Sequence, residues 1–319
     1  MSFKYINPGF AKLLDDNVDS HQIESSEYSK SGFGFWQSDN TKGVTVANFP
    51  ENDEFWAKFD FYLPNSTDVN IYLYAPGDRN NGIYLRISNY YSCVYVYAQY
   101  QGSNYDIAYV GKKPTAANAA DIKGTTGLIL DAINSVWMNL KWGTGGYIDV
   151  QINNKKLTRW QKYAPSYGTD KTPLVKISSN TAAAPISNVI FSDSEISPKE
   201  QIVLIPTSLT ETDMTETDGI YSANAAGQTI LQTLDVSSLV ETYGGDSQVT
   251  GLLLTGYPAY KSGEELSSLT AISKSNGTVT EYGTHTLSDE VTGAVGDVQA
   301  MNTTISNLSG LKFGWKVGT

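Results

Sequence analysis

The stretch NGIYLRISNYYSCVYVYAQYQ, residues 81–101, decides how this chain is expected to fold. Six of these residues are tyrosine, and several of them alternate with aliphatic residues in two short runs. Successive side chains of a β-strand point to opposite faces, so each run predicts a strand with one aliphatic face and one tyrosine face. The aliphatic faces are expected to form the core of a β-protein.

Short strands of this kind recur along the chain, separated by turn signals such as PGDRNNG at 76–82. Before residue 196 they are predicted at 32–36, 43–49, 55–63, 69–75, 82–88, 92–100, 105–111, 136–142, 147–153 and 186–192. One short helical stretch is predicted around Thr115–Ile122. Many short strands at regular spacing favour an all-β, antiparallel sandwich.

The composition changes near residue 196, which predicts two domains, 1–195 and 196–319. Five of the six Trp lie before this point, and FSDSEISPKEQ (191–201) is typical of a junction. Residues 196–319 hold 5 Lys+Arg and 14 Asp+Glu, a net charge of 5 − 14 = −9, which leaves −11 + 9 = −2 for residues 1–195. The second domain is predicted to be a smaller β-sandwich that serves as a tip or oligomerisation domain, with strands at 229–236, 249–260, 269–275, 278–287 and 311–317.

Charge and cysteine content exclude several classes of protein. A net charge of −11 argues against a nucleic-acid partner and against an anionic membrane surface. The N-terminal MSFKYINPGFAKLL has no long apolar run, so neither a signal peptide nor membrane insertion is expected. A single cysteine rules out an internal disulfide, and Cys93 lies in a strand pattern, which predicts a buried thiol.

The alternation rule assigns a core face and a surface face to four strands. The core residues are predicted to be Phe59, Phe61, Ile71, Leu73, Leu85, Ile87, Val94 and Val96. The opposite faces carry Asp60, Tyr62, Asn70, Tyr72, Tyr74, Tyr84, Arg86, Tyr95 and Tyr97. If the strands are neighbours, these nine residues form one outer sheet surface.

Such a surface suits a sugar, because aromatic rings cover the apolar C–H faces of a pyranose and polar groups bond its hydroxyls. The sequence therefore predicts a glycan site on the nine residues. Two alternatives remain open: contact with a neighbouring subunit and an ordinary solvent-exposed sheet.

Two stretches carry a family resemblance. VWMNLKWGTGGYIDVQINNKKL (136–157) resembles the concanavalin-like or laminin-G-like sandwich family, and ISNVIFSD (186–193) is similar to its closing strand. The family often has Gly where this chain has Asn153 and Asn154. Over about residues 1–195, the resemblance implies a jelly-roll whose concave sheet often binds glycans, sometimes with calcium at the rim.

The acidic chain, rich in Tyr, Asn, Ser, Thr and Gly, also resembles a bacteriophage tail-fibre or receptor-binding protein. This resemblance implies a homotrimeric virion protein that adheres to bacterial surface polysaccharide without catalysis. A bacterial cell-surface location is the alternative. A purely structural protein without a ligand is a further alternative.

One acidic motif offers an enzymatic alternative. Glucanases of the sandwich family hold three acids at the spacing of Glu211, Asp213 and Glu216, so a polysaccharide-degrading glycoside hydrolase is considered. The Thr-rich surroundings predict a solvated loop instead. No cofactor is expected, although calcium could be held by Asp78 and Asn80, or by the acids Glu211, Asp213, Glu216 and Asp218.

Overall fold

A computed structural model describes residues 4–9, 20–25, 27–37, 44–46, 54–65, 68–75, 78–88, 90–100, 102–141, 145–161, 175–179, 184–263 and 265–319. The chain divides into two compact units, Met1–Val203 and Leu204–Thr319. The division predicted from composition lies a few residues earlier, at 195/196. The described residues are nearly all β-structure, which confirms the predicted fold class.

The described part of the first unit contains fifteen strands, all in antiparallel pairs. They are β1 (Lys4–Asn7), β2 (Ser20–Glu24), β3 (Phe33–Gln37), β4 (Val44–Val46), β5 (Glu54–Leu63), β6 (Val69–Ala75), β7 (Asp78–Ser88), β8 (Cys93–Tyr100), β9 (Ser103–Val110), β10 (Ala132–Lys141), β11 (Tyr147–Ile152), β12 (Lys155–Lys156), β13 (Trp160–Gln161), β14 (Val175–Ser179) and β15 (Ile186–Ser192).

These strands form two sheets. Sheet A runs in the order β12-β11-β10-β5-β15-β3-β2, with β1 paired to β15 and β13 to β11. Sheet B runs in the order β4-β14-β6-β7-β8-β9. The central strands of sheet B are therefore joined by consecutive hairpins, whereas β5 pairs with strands that are distant in the sequence.

The two sheets share one aliphatic and aromatic core. All eight predicted core residues belong to it, and none is more than 2% exposed. The register inferred from alternation is therefore correct on both sheets. Burial of each such side chain contributes about 1.5–3 kcal/mol to stability.

Two connections between strands have the form that the sequence suggested, one from sheet B to sheet A and one within sheet A. The predicted helix is a 3₁₀ turn over Ala116–Asn118 that continues as α1 (Ala119–Thr126). It ends at Gly127, whose φ of 83° is readily adopted only by glycine. Asn153, which follows β11, has a φ of 50°, and asparagine tolerates this left-handed conformation.

The second unit consists of eleven strands and two short helices in its described residues. They are β16 (Thr207–Thr212), β17 (Thr215–Thr217), β18 (Ile220–Ser222), β19 (Thr229–Leu234), α2 (Ser237–Tyr243), β20 (Gln248–Leu252), β21 (Thr255–Ala259), β22 (Ser268–Ser275), β23 (Thr278–Thr286), β24 (Thr292–Val295), β25 (Gln299–Thr304), α3 (Ile305–Leu308) and β26 (Lys312–Gly318).

A five-stranded sheet in the order β16-β19-β26-β22-β23 is the centre of this unit. The remaining strands form three two-stranded ribbons, β17-β18, β20-β25 and β21-β24. The buried side chains come from the sheet (Phe313, Trp315), from α3 (Leu308) and from a ribbon (Ala294). The second unit thus has its own core, in which ribbons and helices accompany the sheet.

Candidate functional site

Strand pairing brings most of the predicted surface residues together on sheet B. Tyr72 of β6 lies opposite Tyr84 of β7, which in turn lies opposite Tyr97 of β8. One step along the strands, Arg86 lies between Asn70 and Tyr95. Tyr74 was predicted for the same surface, and its side chain lies outside the described residues.

Five tyrosines stack on one another across this face and form what we call the tyrosine ladder: Tyr72, Tyr84, Tyr97, Tyr95 and Tyr109. The rings of Tyr72 and Tyr84 are stacked with centroids 4.2 Å apart, and those of Tyr95 and Tyr97 with centroids 4.8 Å apart. Tilted contacts, with centroids 5.6 Å apart between Tyr84 and Tyr97 and 4.6 Å apart between Tyr95 and Tyr109, link the five rings into one continuous series of contacts.

This stacking changes what the inner rings can do. Tyr84 lies between two neighbouring rings and is only 7% exposed, so it offers no free ring face to a ligand. Its hydroxyl donates a hydrogen bond of 2.9 Å to Oδ1 of Asn70. The expectation that every tyrosine of this face stacks on a sugar is therefore wrong for Tyr84, which is a structural member of the ladder.

The inner hydroxyls remain neutral well above physiological pH. Burial and then a hydrogen bond with Tyr72 raise the pKa of Tyr84. Burial and then the charge of Asp106 raise the pKa of Tyr97 to about 12. The pKa of Tyr95 is also raised, first by a hydrogen bond with Cys93, whose thiol is buried as predicted. These hydroxyls can therefore donate as well as accept hydrogen bonds at neutral pH.

Exposed rings occur near Tyr109, the last member of the ladder. We define the exposed end as Tyr109 together with Arg86 of β7 and with Tyr90 and Tyr91, which lie in the turn between β7 and β8. Tyr90 is 85% exposed, Tyr91 56% and Tyr109 47%. The Arg86 guanidinium lies 4.5 Å from the centroid of the Tyr91 ring, and Tyr90 contacts Tyr91 edge to face at 4.8 Å.

Sequence reasoning missed three of these four residues. Tyr90 and Tyr91 lie in the turn between β7 and β8, where strand alternation makes no statement. Their signal was the pair of adjacent tyrosines in a hairpin turn, where Asn, Gly or Ser is more usual. Tyr109 could have been predicted as a surface residue by applying the alternation rule to β9 as well.

Asp60 and Tyr62 are not part of this surface. They lie on β5, which belongs to sheet A, so the prediction that all nine residues share one sheet is wrong for these two. Asp60 is 4% exposed and accepts a hydrogen bond of 2.9 Å from Nδ2 of Asn188. The Tyr62 ring contacts Tyr28 edge to face at 4.9 Å.

A short segment after β15 packs against the outer side of sheet A. Trp137 Nε1 donates a hydrogen bond of 2.9 Å to the carbonyl of Ile196, whose side chain is 2% exposed. The Lys58 ammonium donates to the carbonyl of Glu200. Burial lowers the pKa of Lys58, and Asp60 opposes this effect by its charge.

The three acids considered for glycoside hydrolysis have other contacts. Glu211 forms ion pairs with Lys274 and with Lys312, the latter at 2.9 Å, and hydrogen bonds with these lysines lower its pKa. Asp213 accepts a hydrogen bond from the backbone N–H of Thr229. Glu216 accepts one of 3.1 Å from the backbone N–H of Gly219. Each carboxylate thus binds a partner within its own unit.

The same part of the chain was considered for calcium. Among the described residues, no group of three or more His, Cys, Asp or Glu side chains is placed to hold a metal ion. The side chains of Asp78 and Asn80 lie outside the described residues.

No helix in the described ranges is long and apolar enough to cross a membrane.

The geometry defines an all-β protein whose first unit is a two-sheet sandwich with an aromatic surface on sheet B. No protein-family model matches the chain, and no curated protein matches it. Several solved structures are similar to it.

Sheep galectin-11 in complex with glycerol is 9% identical, with a TM-score of 0.28, 46% of this chain covered and 93% of that one. An endo-β-1,4-glucuronan lyase from the fungus Trichoderma reesei is 14% identical, with a TM-score of 0.34, 59% of this chain covered and 92% of that one. The Caenorhabditis elegans galectin LEC-6 is 13% identical, with a TM-score of 0.29, 47% of this chain covered and 90% of that one. Identities and TM-scores this low do not assign the chain to any of these families.

Proposed function

We propose that the first unit is a glycan-binding module without catalytic activity, and that the exposed end of the tyrosine ladder is its site. The observation that carries this proposal is the exposed Tyr91 ring against the Arg86 guanidinium, with the exposed ring of Tyr90 in contact with Tyr91. The exposed ring of Tyr109 lies two strands away in the same row of sheet B. Exposed aromatic rings can stack on the apolar C–H groups of a sugar, and adjacent polar groups can form hydrogen bonds with its hydroxyls.

The ladder supplies the rigidity that a weak ligand requires. A sugar loses favourable hydration when it binds, so little free energy is left to order loose side chains. Tyr109 is held by Tyr95, and the packed ring of Tyr84 lies beside Arg86 on the same strand. Two of the four site residues are thus fixed on strands before a ligand arrives.

In the wider role proposed here, the module recognises bacterial surface polysaccharide as part of a phage tail fibre or receptor-binding protein. Composition and the pattern of successive β-units support this role, and a homotrimer would suit it. Three linked sites can raise avidity by about 10²–10⁴ on a repeated polysaccharide. Light scattering on the full chain tests the trimer, and a monomer at micromolar concentration would count against the fibre role.

The glycan site itself is tested by replacing Tyr91 and Tyr109 together with alanine. Both rings are largely exposed, so the melting temperature should stay close to that of the wild type. Loss of two anchors should weaken binding on an array of bacterial polysaccharides by about 2 kcal/mol or more. Tyr260→Ala, which removes a 51% exposed tyrosine of the second unit, is the matched control. Equal binding by the double variant and the control would refute the site.

A further inference from the structure

Among the described residues, no acid is paired with the guanidinium of Arg86. Its guanidinium lies 4.5 Å from the centroid of the Tyr91 ring and forms a hydrogen bond with the Tyr91 side chain. Within the described residues, no carboxylate forms an ion pair with it. Yet the chain contains 33 Asp and Glu residues against 22 Lys and Arg, so acids are plentiful. Arg86 lies on β7, a central strand of sheet B.

A second arginine of the same unit provides the contrast. Arg159 also stacks on a tyrosine, with its guanidinium 3.9 Å from the centroid of the Tyr147 ring. Unlike Arg86, it forms two hydrogen bonds with the carboxylate of Asp149, one of them 2.7 Å from Nε to Oδ1. Both sites place a guanidinium on a tyrosine ring, and they differ in whether a described residue supplies a carboxylate.

We infer that the ligand supplies the missing carboxylate, so that the glycan bound at the exposed end is acidic and carries a sugar carboxylate opposite Arg86. This inference rests on the proposed function and adds the class of sugar. The planar guanidinium presents paired N–H donors that match the two oxygens of a carboxylate. The raised pKa values of Tyr84, Tyr95 and Tyr97 keep these hydroxyls neutral, so one arginine balances one negative charge, as a uronic-acid residue requires.

The local charges are compatible with such a ligand. The first part of the chain carries only −2 of the total −11 charge, and distant charges are screened beyond about 8 Å at physiological salt. Asp106 is a described acid close to the ladder, where it lies opposite Tyr97 and is exposed. It is two register positions away from the row that contains Arg86 and Tyr95. Its negative charge should weaken binding of an anion slightly. Removal of this charge is therefore a control in which anion binding should increase or stay the same.

The test compares carboxylate-bearing polysaccharides with neutral polymers of the same linkage. Binding of the full chain is measured to polygalacturonate, alginate, hyaluronan and polysialic acid, and to the carboxyl-reduced form of each. The wild type should bind at least one acidic polymer about tenfold or more tightly than its reduced form. Arg86→Gln should remove that preference, whereas Arg86→Lys should keep part of it and Asp106→Asn should keep or increase it.

The outcomes separate the two proposals. Equal or tighter binding of the reduced polymers would overturn the acidic ligand and leave the glycan module standing. Binding of neither set would count against the glycan module itself. Since Arg86→Gln also removes a ring contact, its melting temperature is compared with that of the wild type. Salt dependence provides a second readout on the unmodified protein: affinity for the acidic polymer should fall between 50 mM and 500 mM NaCl, and a flat profile would contradict the inference.

Discussion

At the scale of single residues, Asp60 shows what alternation can and cannot predict. Alternation correctly placed its side chain on the outer face of β5, away from the shared core. It could not predict that this outer face is covered, because the covering segments are distant in sequence. Asn188, 128 positions later, provides the nearest hydrogen bond, and Lys30 lies 4.0 Å away. A residue that was expected to meet a ligand therefore has a structural partner.

The role of Asp60 leads to a prediction about stability. Asp60→Ala should lower the free energy of unfolding by about 1–3 kcal/mol, because it leaves the buried Asn188 amide without its acceptor. The folded variant should bind the glycan array as the wild type does. Urea unfolding and array binding are the two measurements. Asp106→Ala, at an exposed acid, is the matched control and should change stability by less than about 0.5 kcal/mol. Lost binding with unchanged stability would restore Asp60 to the site.

At the scale of strands and turns, local pattern predicted more than long-range pairing. The hairpins from β6 to β9 follow one another in sequence, so alternation was enough to predict one shared face for Tyr72, Tyr84 and Tyr97 on the condition that these strands are neighbours. The turn predicted at 76–82 overlaps β7, which already begins at Asp78. The position of β5 depends on its pairing with β10 and β15, which no local pattern reports. Nor does a list of outward residues reveal whether neighbouring rings stack on one another or remain free.

The ladder should make the protein sensitive to alkaline pH. The pKa of Tyr97 is about 12 in the folded chain, whereas an unfolded tyrosine titrates near 10. Between these values the unfolded chain loses a proton that the folded chain keeps, so the free energy of unfolding should fall as pH rises from about 10. Below pH 10 this contribution is fully present.

Thermal unfolding between pH 8 and 11.5, with tyrosinate absorbance recorded alongside, measures this effect. Tyr97→Phe has no titrating group at this position, so its melting temperature should fall less steeply over the same interval. Tyr90→Phe, at an 85% exposed position, should follow the wild type and serves as the control. Parallel curves for the wild type and Tyr97→Phe would argue that Tyr97 is solvated in solution.

At the scale of the whole molecule, composition located two units but could not place their boundary. The change in Trp content and charge near residue 196 reflects two different cores. In the structure residues 196–203 belong to the first unit, and the carbonyls of Ile196 and Glu200 accept hydrogen bonds from side chains of β10 and β5. The amino-acid composition of the chain does not reveal such contacts. The trimer and the virion location stay predictions at this scale.

The boundary can be tested with two fragments, residues 1–195 and 1–203. The longer fragment keeps Ile196, whose burial contributes about 1.5–3 kcal/mol, and the carbonyls that accept hydrogen bonds from Trp137 and Lys58. Lys58 is 7% exposed, so loss of its acceptor leaves a buried ammonium poorly satisfied. We expect the shorter fragment to be less stable by at least about 2 kcal/mol, which corresponds to a melting temperature several degrees lower in a unit of this size. Ile196→Ala within the longer fragment should lose part of this difference, while Lys199→Ala, at an exposed neighbouring position, should lose none. If both fragments melt at the same temperature, the segment 196–203 is a linker, and the boundary predicted from composition is the better one.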